Sequence, residues 1–503
     1  MNIKEAKEQI KKAVVSYLTK DDLGEYIIPV EKQRPLFLMG PPGVGKTAIM
    51  EQIAAEMKIG LVAYSMTHHT RQSILGLPLI EQKKYGGQSY NVSEYTMSEI
   101  IATLYELMEK TGVKEGILFV DEINCVSETL FPVMLQFLQY KVFGKYHVPK
   151  GWIIVAAGNP PEYNSSVRQF DIAIWDRLKR IDVEPDVEVW KKYAYDKDIH
   201  PAVISYLDIE KQNFYRVEST VDGKQFVTAR GWEDLSLMLR MYEAHKFKVD
   251  EKLICQYIQN SVISKSFTVY YELFNKYKID YQISSILAGN VSQEVKKRAK
   301  EAPLDERLSL IGLLLDTTGE YARDVVEQDH TLRKVMDVVR QYKMEMEKEI
   351  KRMPYVVLET FIKKEMNYIE TSKKAGCINS KEIEIVRKAV TCLESYSIKI
   401  RNIEDKEIAY GEIKKQFNGQ VNELKKLAKE TTACVFDNMF NFIEDVFSDG
   451  QEMLIIVTEL TRNPYTAEYI SKYGCEKYYK HNKSLLFYER QMEIDRIIEE
   501  LQV

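Results

Sequence analysis

The stretch Gly40-Pro41-Pro42-Gly43-Val44-Gly45-Lys46-Thr47 constrains this chain more than any other segment. It follows the apolar run Pro35-Leu36-Phe37-Leu38-Met39, which reads as a buried strand, and leads into a helical pattern from Thr47 to Met57. Glycines between a buried strand and a helix let the backbone curl until its N–H groups point inward at an anion. The helix N-terminus adds about half a positive charge there. Lys46 supplies a point charge suited to β- and γ-phosphates, and the Thr47 hydroxyl is a Mg²⁺ ligand. The predicted phosphate-binding segment runs through Gly40, Pro41, Pro42, Gly43, Val44, Gly45, Lys46, Thr47 and Ala48.

Around this loop, short apolar runs alternate with helical patterns. Leu61 to Tyr64, Ile117 to Asp121 and Trp152 to Ala157 read as strands, and Met97 to Glu109 and Glu128 to Tyr140 as helices. Continuous apolar strands separated by helices predict a parallel sheet covered on both faces, an α/β fold. The third strand ends in Asp121-Glu122. At the carboxyl end of such a strand an acidic pair lies beside the phosphate loop. Asp121 can hold Mg²⁺ through water, with Thr47, and Glu122 can polarise a water for in-line attack. The fourth strand ends in Asn159-Pro160-Pro161, where an amide can hold that water or read the γ-phosphate.

Composition narrows the rest. The chain has 503 residues, 45% of them apolar and 29% charged, enough for roughly three folded domains. A net charge of −5 argues against a dedicated nucleic-acid binder. No apolar run approaches the roughly 18 residues of a membrane span. The cysteines and histidines are dispersed, which predicts neither a disulfide framework nor a His/Cys metal site and points to the cytoplasm. Glycine and proline thin out after about residue 290, so the remainder reads as long helices. The expected organisation is a nucleotide-binding core over 1–186, a small helical domain over 187–290 and a helical extension over 291–503. Tyrosines in the segment from Tyr469 to Arg490 invite comparison with base stacking, but at helical spacing they fit core positions better.

Taken together, GPPGVGKT, ILFVDE and AAGNP resemble the Walker A, Walker B and sensor 1 motifs of the AAA+ ATPases, and within them the MoxR-like branch. The likeness extends over roughly residues 20–280. It implies a P-loop AAA+ core with a helical lid, binding ATP and Mg²⁺. The segment IWDRLKRI resembles the family's arginine-finger segment and places the finger on Arg177, with Arg180 as the alternative; Leu178 stands where the family has Phe. Arg230 in FVTARGWEDL resembles the sensor 2 arginine at the start of a lid helix. Two predicted hairpins, one turning at Gly86-Gly87 and one over Lys141 to Pro149, resemble the branch's insertions. His68 to Gln72, just before the first hairpin, reads as a locally hydrogen-bonded segment or part of a subunit interface. The resemblance further implies a homo-oligomeric ring, most often a hexamer. It also implies a protein client, in this branch often one carrying a von Willebrand factor type A domain. The alternative from another class is a nucleotide-gated interaction scaffold with little turnover.

Overall fold

The computed structural model of the protein describes residues 1–68, 71–163, 167–168, 170–220, 223–348, 352–448 and 450–483. These form two compact units, one of Met1–Asp186 with Lys363–Arg387, the other of Val187–Ile362 with the described part of Lys388–Val503.

In the first unit, α1 (Ile3–Leu18) precedes β1 (Leu36–Met39), α2 (Lys46–Met57), β2 (Gly60–Ser65) and the short α3 (Arg71–Leu75). A hairpin of β3 (Pro78–Tyr85) and β4 (Gln88–Tyr95) leads to α4 (Glu99–Thr111) and β5 (Gly116–Asp121). Next come α5 (Phe131–Tyr140), a short hairpin of β6 (Val142–Phe143) and β7 (Tyr146–His147), β8 (Trp152–Gly158), α6 (Ile172–Trp175) and β9 (Lys179–Asp182). Five parallel strands pair in the order β2-β5-β8-β1-β9.

Alternate residues of the central strands serve opposite faces, as strand periodicity requires. Phe37, Leu118, Val120, Ile154 and Ala156 join α4 and α5 in one apolar core. Leu36, Leu38, Ile117, Phe119, Ile153 and Val155 join α1 and α2 in another. Burial on both faces explains why these strands read as unbroken apolar runs. After β1 the chain crosses to β2 at the sheet edge, returns through β5 and β8, and finishes on the other side of β1 at β9. The strand order therefore reverses beside β1, and the crevice at the carboxyl ends of β1, β5 and β8 is where such sheets bind ligands.

The structure adds a fifth strand within the segment read only for its arginines. β9 has a single buried residue, Ile181, among charged neighbours, so it lacks the apolar signature of the inner strands. Both expected hairpins are present. In the first, Tyr85 pairs with Gln88, and Gly86 and Gly87 both take positive φ (58° and 86°), the geometry of a two-residue turn that favours glycine. Of the segment His68 to Gln72, His69 and Thr70 lie outside the described residues.

The second unit begins with α7 (Val187–Asp196) and α8 (Pro201–Ile209), followed by a hairpin of β10 (Arg216–Thr220) and β11 (Gly223–Val227) inside the stretch read as a small helical domain. Then come α9 (Ala229–Ala244), α10 (Glu251–Tyr257), α11 (Ser261–Asp280), α12 (Ile283–Leu287) and α13 (Gln293–Glu301). The 44-residue α14 (Leu304–Glu347) is about 66 Å long at 1.5 Å per residue. It is followed by α15 (Pro354–Ala375), α16 (Ser380–Ile400), α17 (Lys406–Lys426), a π-helical stretch (Leu427–Thr432), α18 (Ala433–Phe447), α19 (Gln451–Arg462) and α20 (Pro464–Tyr473). A single apolar core runs from Trp190 to Tyr478, so it crosses the boundary drawn at residue 290 from composition. Gly312 lets α14 approach α8 closely, because a Cβ there would stand 2.1 Å from the Ser205 hydroxyl oxygen.

The facing ends of α15 and α16 belong to the first unit. Glu382 accepts from Lys58 at 2.5 Å, and a Cβ on Gly376 would come within 3.1 Å of the Leu61 carbonyl on β2. Of the described tyrosines of the C-terminal segment, Tyr469 and Tyr478 serve packing, while Tyr479 is exposed. Tyr469 stacks on Phe436 at 4.9 Å and donates to the Ala428 carbonyl, and Tyr478 is buried. Residues 484–490 of that segment lie outside the described residues. Among the described residues no helix is long and apolar enough to cross a membrane.

Candidate active site

The loop between β1 and α2 is shaped by its glycines. Gly43 and Gly45 take positive φ (74° and 97°), and the space where a Cβ of Gly45 would point is open. Gly40 passes so close to Val183 that a Cβ would lie 3.0 Å from its carbonyl oxygen. Gly45 is the N-cap of α2, and no side chain caps that helix. That N-terminus is the positive end of the helix dipole, which favours an anion.

Lys46 opens α2 and is buried, with its ammonium aimed back into the loop. Nζ donates to the carbonyls of Gly40 (2.8 Å) and Pro41 (3.0 Å) and to Asn159 Oδ1 (2.9 Å). Thr47 Oγ1 donates to Asp121 Oδ2 at 3.3 Å, and Asp121 Oδ1 accepts the Glu122 N–H at 2.9 Å. Lys46 and Thr47, Asp121, and Asn159, from three separate stretches of the chain, thus converge at the carboxyl ends of β1, β5 and β8.

Glu122 sits in the left-handed region (φ 56°), which turns the chain sharply out of β5. Its Oε2 accepts from the hydroxyls of Ser65 and Thr67, each at 3.1 Å. Ser65 ends β2 directly opposite Asp121 in the strand register, which explains the contact. Ser65 and Thr67 had no sequence signal of their own, because the pairing of β2 with β5 is what brings them to Glu122. The half-buried Cys125 thiol is pushed up in pKa by burial and then by the Glu122 and Asp121 carboxylates, so it is a poor nucleophile.

The two finger candidates differ. Arg180 is held at home: Nε donates to Asp182 Oδ1 at 2.8 Å and the guanidinium lies 4.7 Å from the Trp175 ring centroid. Arg177 is exposed just after α6 and makes no ion pair among the described residues. Neither arginine bonds Lys46, Thr47, Asp121, Glu122 or Asn159 among the described residues. Arg230 belongs to the second unit, exposed in the first turn of α9, whose N-terminus Thr228 caps by accepting the Gly231 N–H at 3.2 Å.

The donor set fits a nucleoside triphosphate with Mg²⁺. An uncapped helix N-terminus and a buried ammonium suit phosphate oxygens. The Thr47 hydroxyl and Asp121 carboxylate are hard oxygen donors of the kind Mg²⁺ prefers, and this ion usually completes its shell with phosphates and water. Among the described residues no cluster of three or more His, Cys, Asp or Glu offers a different metal site.

The hairpins of the first unit are joined to each other. Glu94 on β4 pairs with Lys83 on β3 and with Lys145 in the β6–β7 turn. At the base of the second hairpin, Lys141 is buried, donating to the Val30 carbonyl at 2.8 Å and to Gln33 Oε1. Burial lowers its pKa to about 8. Between that value and the ordinary lysine range near 10.5, the folded chain gives up a proton that the unfolded chain keeps. Stability should therefore rise as pH increases from about 8 to about 10.5, by at most about 3 kcal/mol. Urea unfolding at both ends of that window, in wild type and Lys141→Met, checks this; the variant should lose the rise.

Fold and loop together define a P-loop nucleotide-binding domain. Residues 36–183 match the family described as ATPase family associated with various cellular activities (AAA), so the chain carries an AAA-family ATPase domain. No curated protein matches the chain. Among solved structures, a provisionally assigned ATPase from Cytophaga hutchinsonii is similar at 17% identity, over 38% of this chain and 53% of its own, with a TM-score of 0.23. The chain thus spans about half the length of that protein.

Proposed function

We propose that this protein is a MoxR-like AAA+ ATPase that hydrolyses ATP to remodel or mature a partner protein. The observation that carries the reading is the convergence of Lys46, Thr47, Asp121 and Asn159 around one loop, with Glu122 alongside. Lys46 and the α2 N-terminus would hold the phosphates, and Thr47 and Asp121 the metal. Mg²⁺, when bound, neutralises charge on the β- and γ-phosphate oxygens. Glu122 would leave the hydroxyls of Ser65 and Thr67 to take a proton from the attacking water. Asn159 would orient that water, and Arg230, at the head of a lid helix, would report nucleotide state to the helical part. The open guanidinium of Arg177, against the engaged one of Arg180, favours Arg177 as the group supplied to a neighbouring subunit in a ring, hexameric by analogy with the branch.

The branch assignment draws support from the two hairpins, which stand where the resemblance expects insertions. Leu79, Ile80, Tyr85 and Tyr90 are exposed on the first of them, a surface suited to a protein client. A client with a von Willebrand factor type A domain, and docking on residues 291–503, complete the proposal. A scaffold with little turnover is the second reading, favoured by the engagement of Glu122 with Ser65 and Thr67.

The test is client capture on Glu122→Gln protein loaded with ATP and on wild type loaded with ADP. Client affinity should differ between the two states, since coupling of sites is reciprocal. Removing the hairpin from Glu81 to Val92 should spare basal turnover and abolish the difference. Equal capture in both states favours the scaffold.

A further inference from the structure

Directly after Glu122 the chain makes a short 3₁₀ turn, Ile123–Cys125, which leaves Asn124 only 1% exposed. Asn124 Nδ2 donates to the Asn159 carbonyl at 2.8 Å. Its own carbonyl accepts the Arg168 N–H at 2.9 Å. The carboxamide also lies hard against the Cα of Gly158. A Cβ at that position would stand 2.5 Å from Oδ1, 2.7 Å from Cγ and 2.9 Å from Nδ2 of Asn124. Gly158 is therefore glycine to make room for Asn124, not to supply an unusual φ.

Asn124 thus ties the segment that carries Glu122 to the segment that carries Asn159. This matters because Asn159 is held from two sides. Its side chain is held by Lys46 Nζ, which divides its bonds among Gly40, Pro41 and Asn159. A phosphate drawn to Nζ competes for those bonds and loosens that restraint. The backbone restraint from Asn124 does not involve Lys46 and survives.

We propose that Asn124 is a positioning residue: it fixes the Asn159 backbone relative to Glu122, so the two groups that flank the attacking water keep their spacing when Lys46 turns to phosphate. The proposal rests on the ATPase reading above. Misplacing reacting groups by about 1 Å costs on the order of 100-fold in rate, while leaving binding largely intact.

The experiment compares Asn124→Ala, Asn124→Asp, Gly158→Ala and the double variant Asn124→Ala with Gly158→Ala. Asn124→Ala should lower kcat about 10- to 100-fold with nucleotide Kd nearly unchanged. In protein prepared without nucleotide, it should also speed amide hydrogen exchange in the peptide 156–163. Asn124→Asp keeps the shape and replaces the N–H donor by oxygen. Ionised, it repels the Asn159 carbonyl; protonated, its O–H can donate in place of the amide. Its rate relative to wild type should therefore rise as pH falls from about 8 to about 6, a response that packing alone does not produce. Gly158→Ala should mimic Asn124→Ala, and adding it to Asn124→Ala should cost little more, because the clashing group is gone.

Wild-type kcat and wild-type exchange in Asn124→Ala overturn the assignment and leave the ATPase reading standing. Loss of nucleotide affinity matching the loss of kcat, with no pH response in Asn124→Asp, also overturns it by making Asn124 a packing residue. If the wild type itself shows no turnover, the ATPase reading falls, and the exchange data decide separately whether Asn124 holds the 156–163 segment.

Discussion

Replacing Glu122 with Gln should leave ATP bound and cut its hydrolysis by about 10²–10⁴-fold. The groups assigned to the phosphates and metal are Lys46, Thr47, Asp121 and the uncapped start of α2, and none is altered by the change. Gln has the size of Glu and can still accept from Ser65 and Thr67, so the resting geometry should persist. What it lacks is a basic oxygen to take a proton from water. Equilibrium binding of a fluorescent ATP analogue and phosphate release, measured on the same preparation, separate the two effects. A variant that binds poorly would place Glu122 in the binding site instead of the hydrolytic step.

Arg177→Ala should bind ATP like the wild type and hydrolyse it about 10³–10⁵-fold more slowly, the worth of an arginine finger. The effect is that large because a guanidinium placed at the transferring phosphoryl group meets charge that develops only in the transition state. Arg180→Ala should do far less, since that guanidinium is already committed to Asp182 and Trp175. Mixing Arg177→Ala with Lys46→Ala protein should restore part of the turnover, each supplying at a shared interface what the other lacks. Phosphate release against mixing ratio reads this out. Turnover that is independent of protein concentration and unmoved by mixing would count against a finger supplied in trans.

Much of the first unit was legible in the sequence, for identifiable reasons. β1, β5 and β8 are buried on both faces, so their apolar runs are continuous, and the glycines of the loop and of the Gly86-Gly87 turn occupy positive-φ positions that few other residues tolerate. β9 escaped because a short edge strand with charged side chains carries no such run. The β10–β11 hairpin escaped for a related reason: Arg216 to Thr220 is mostly polar, and none of Arg216 to Ser219 is fully buried.

The phosphate loop and acidic pair announce themselves by contiguous residues. Ser65, Thr67 and Asn124 do not. Their roles depend on strand register, such as Ser65 opposite Asp121, and on close passage, such as Asn124 over Gly158, which appear only once the sheet is assembled. The helical half shows a different limit. Its helices were evident, but the common core from Trp190 to Tyr478, and the return of residues 363–387 to the first unit, depend on tertiary contacts that helical periodicity does not encode.

The most direct measurement is the nucleotide content and phosphate output of purified Glu122→Gln protein beside the wild type, each with Mg²⁺ and with a chelator in its place. The wild type should release phosphate only with Mg²⁺, while the variant retains intact ATP and releases almost none. Phosphate release by the variant at the wild-type rate, or a wild type that binds ATP and never cleaves it, would contradict an ATPase built on Lys46, Thr47, Asp121 and Glu122.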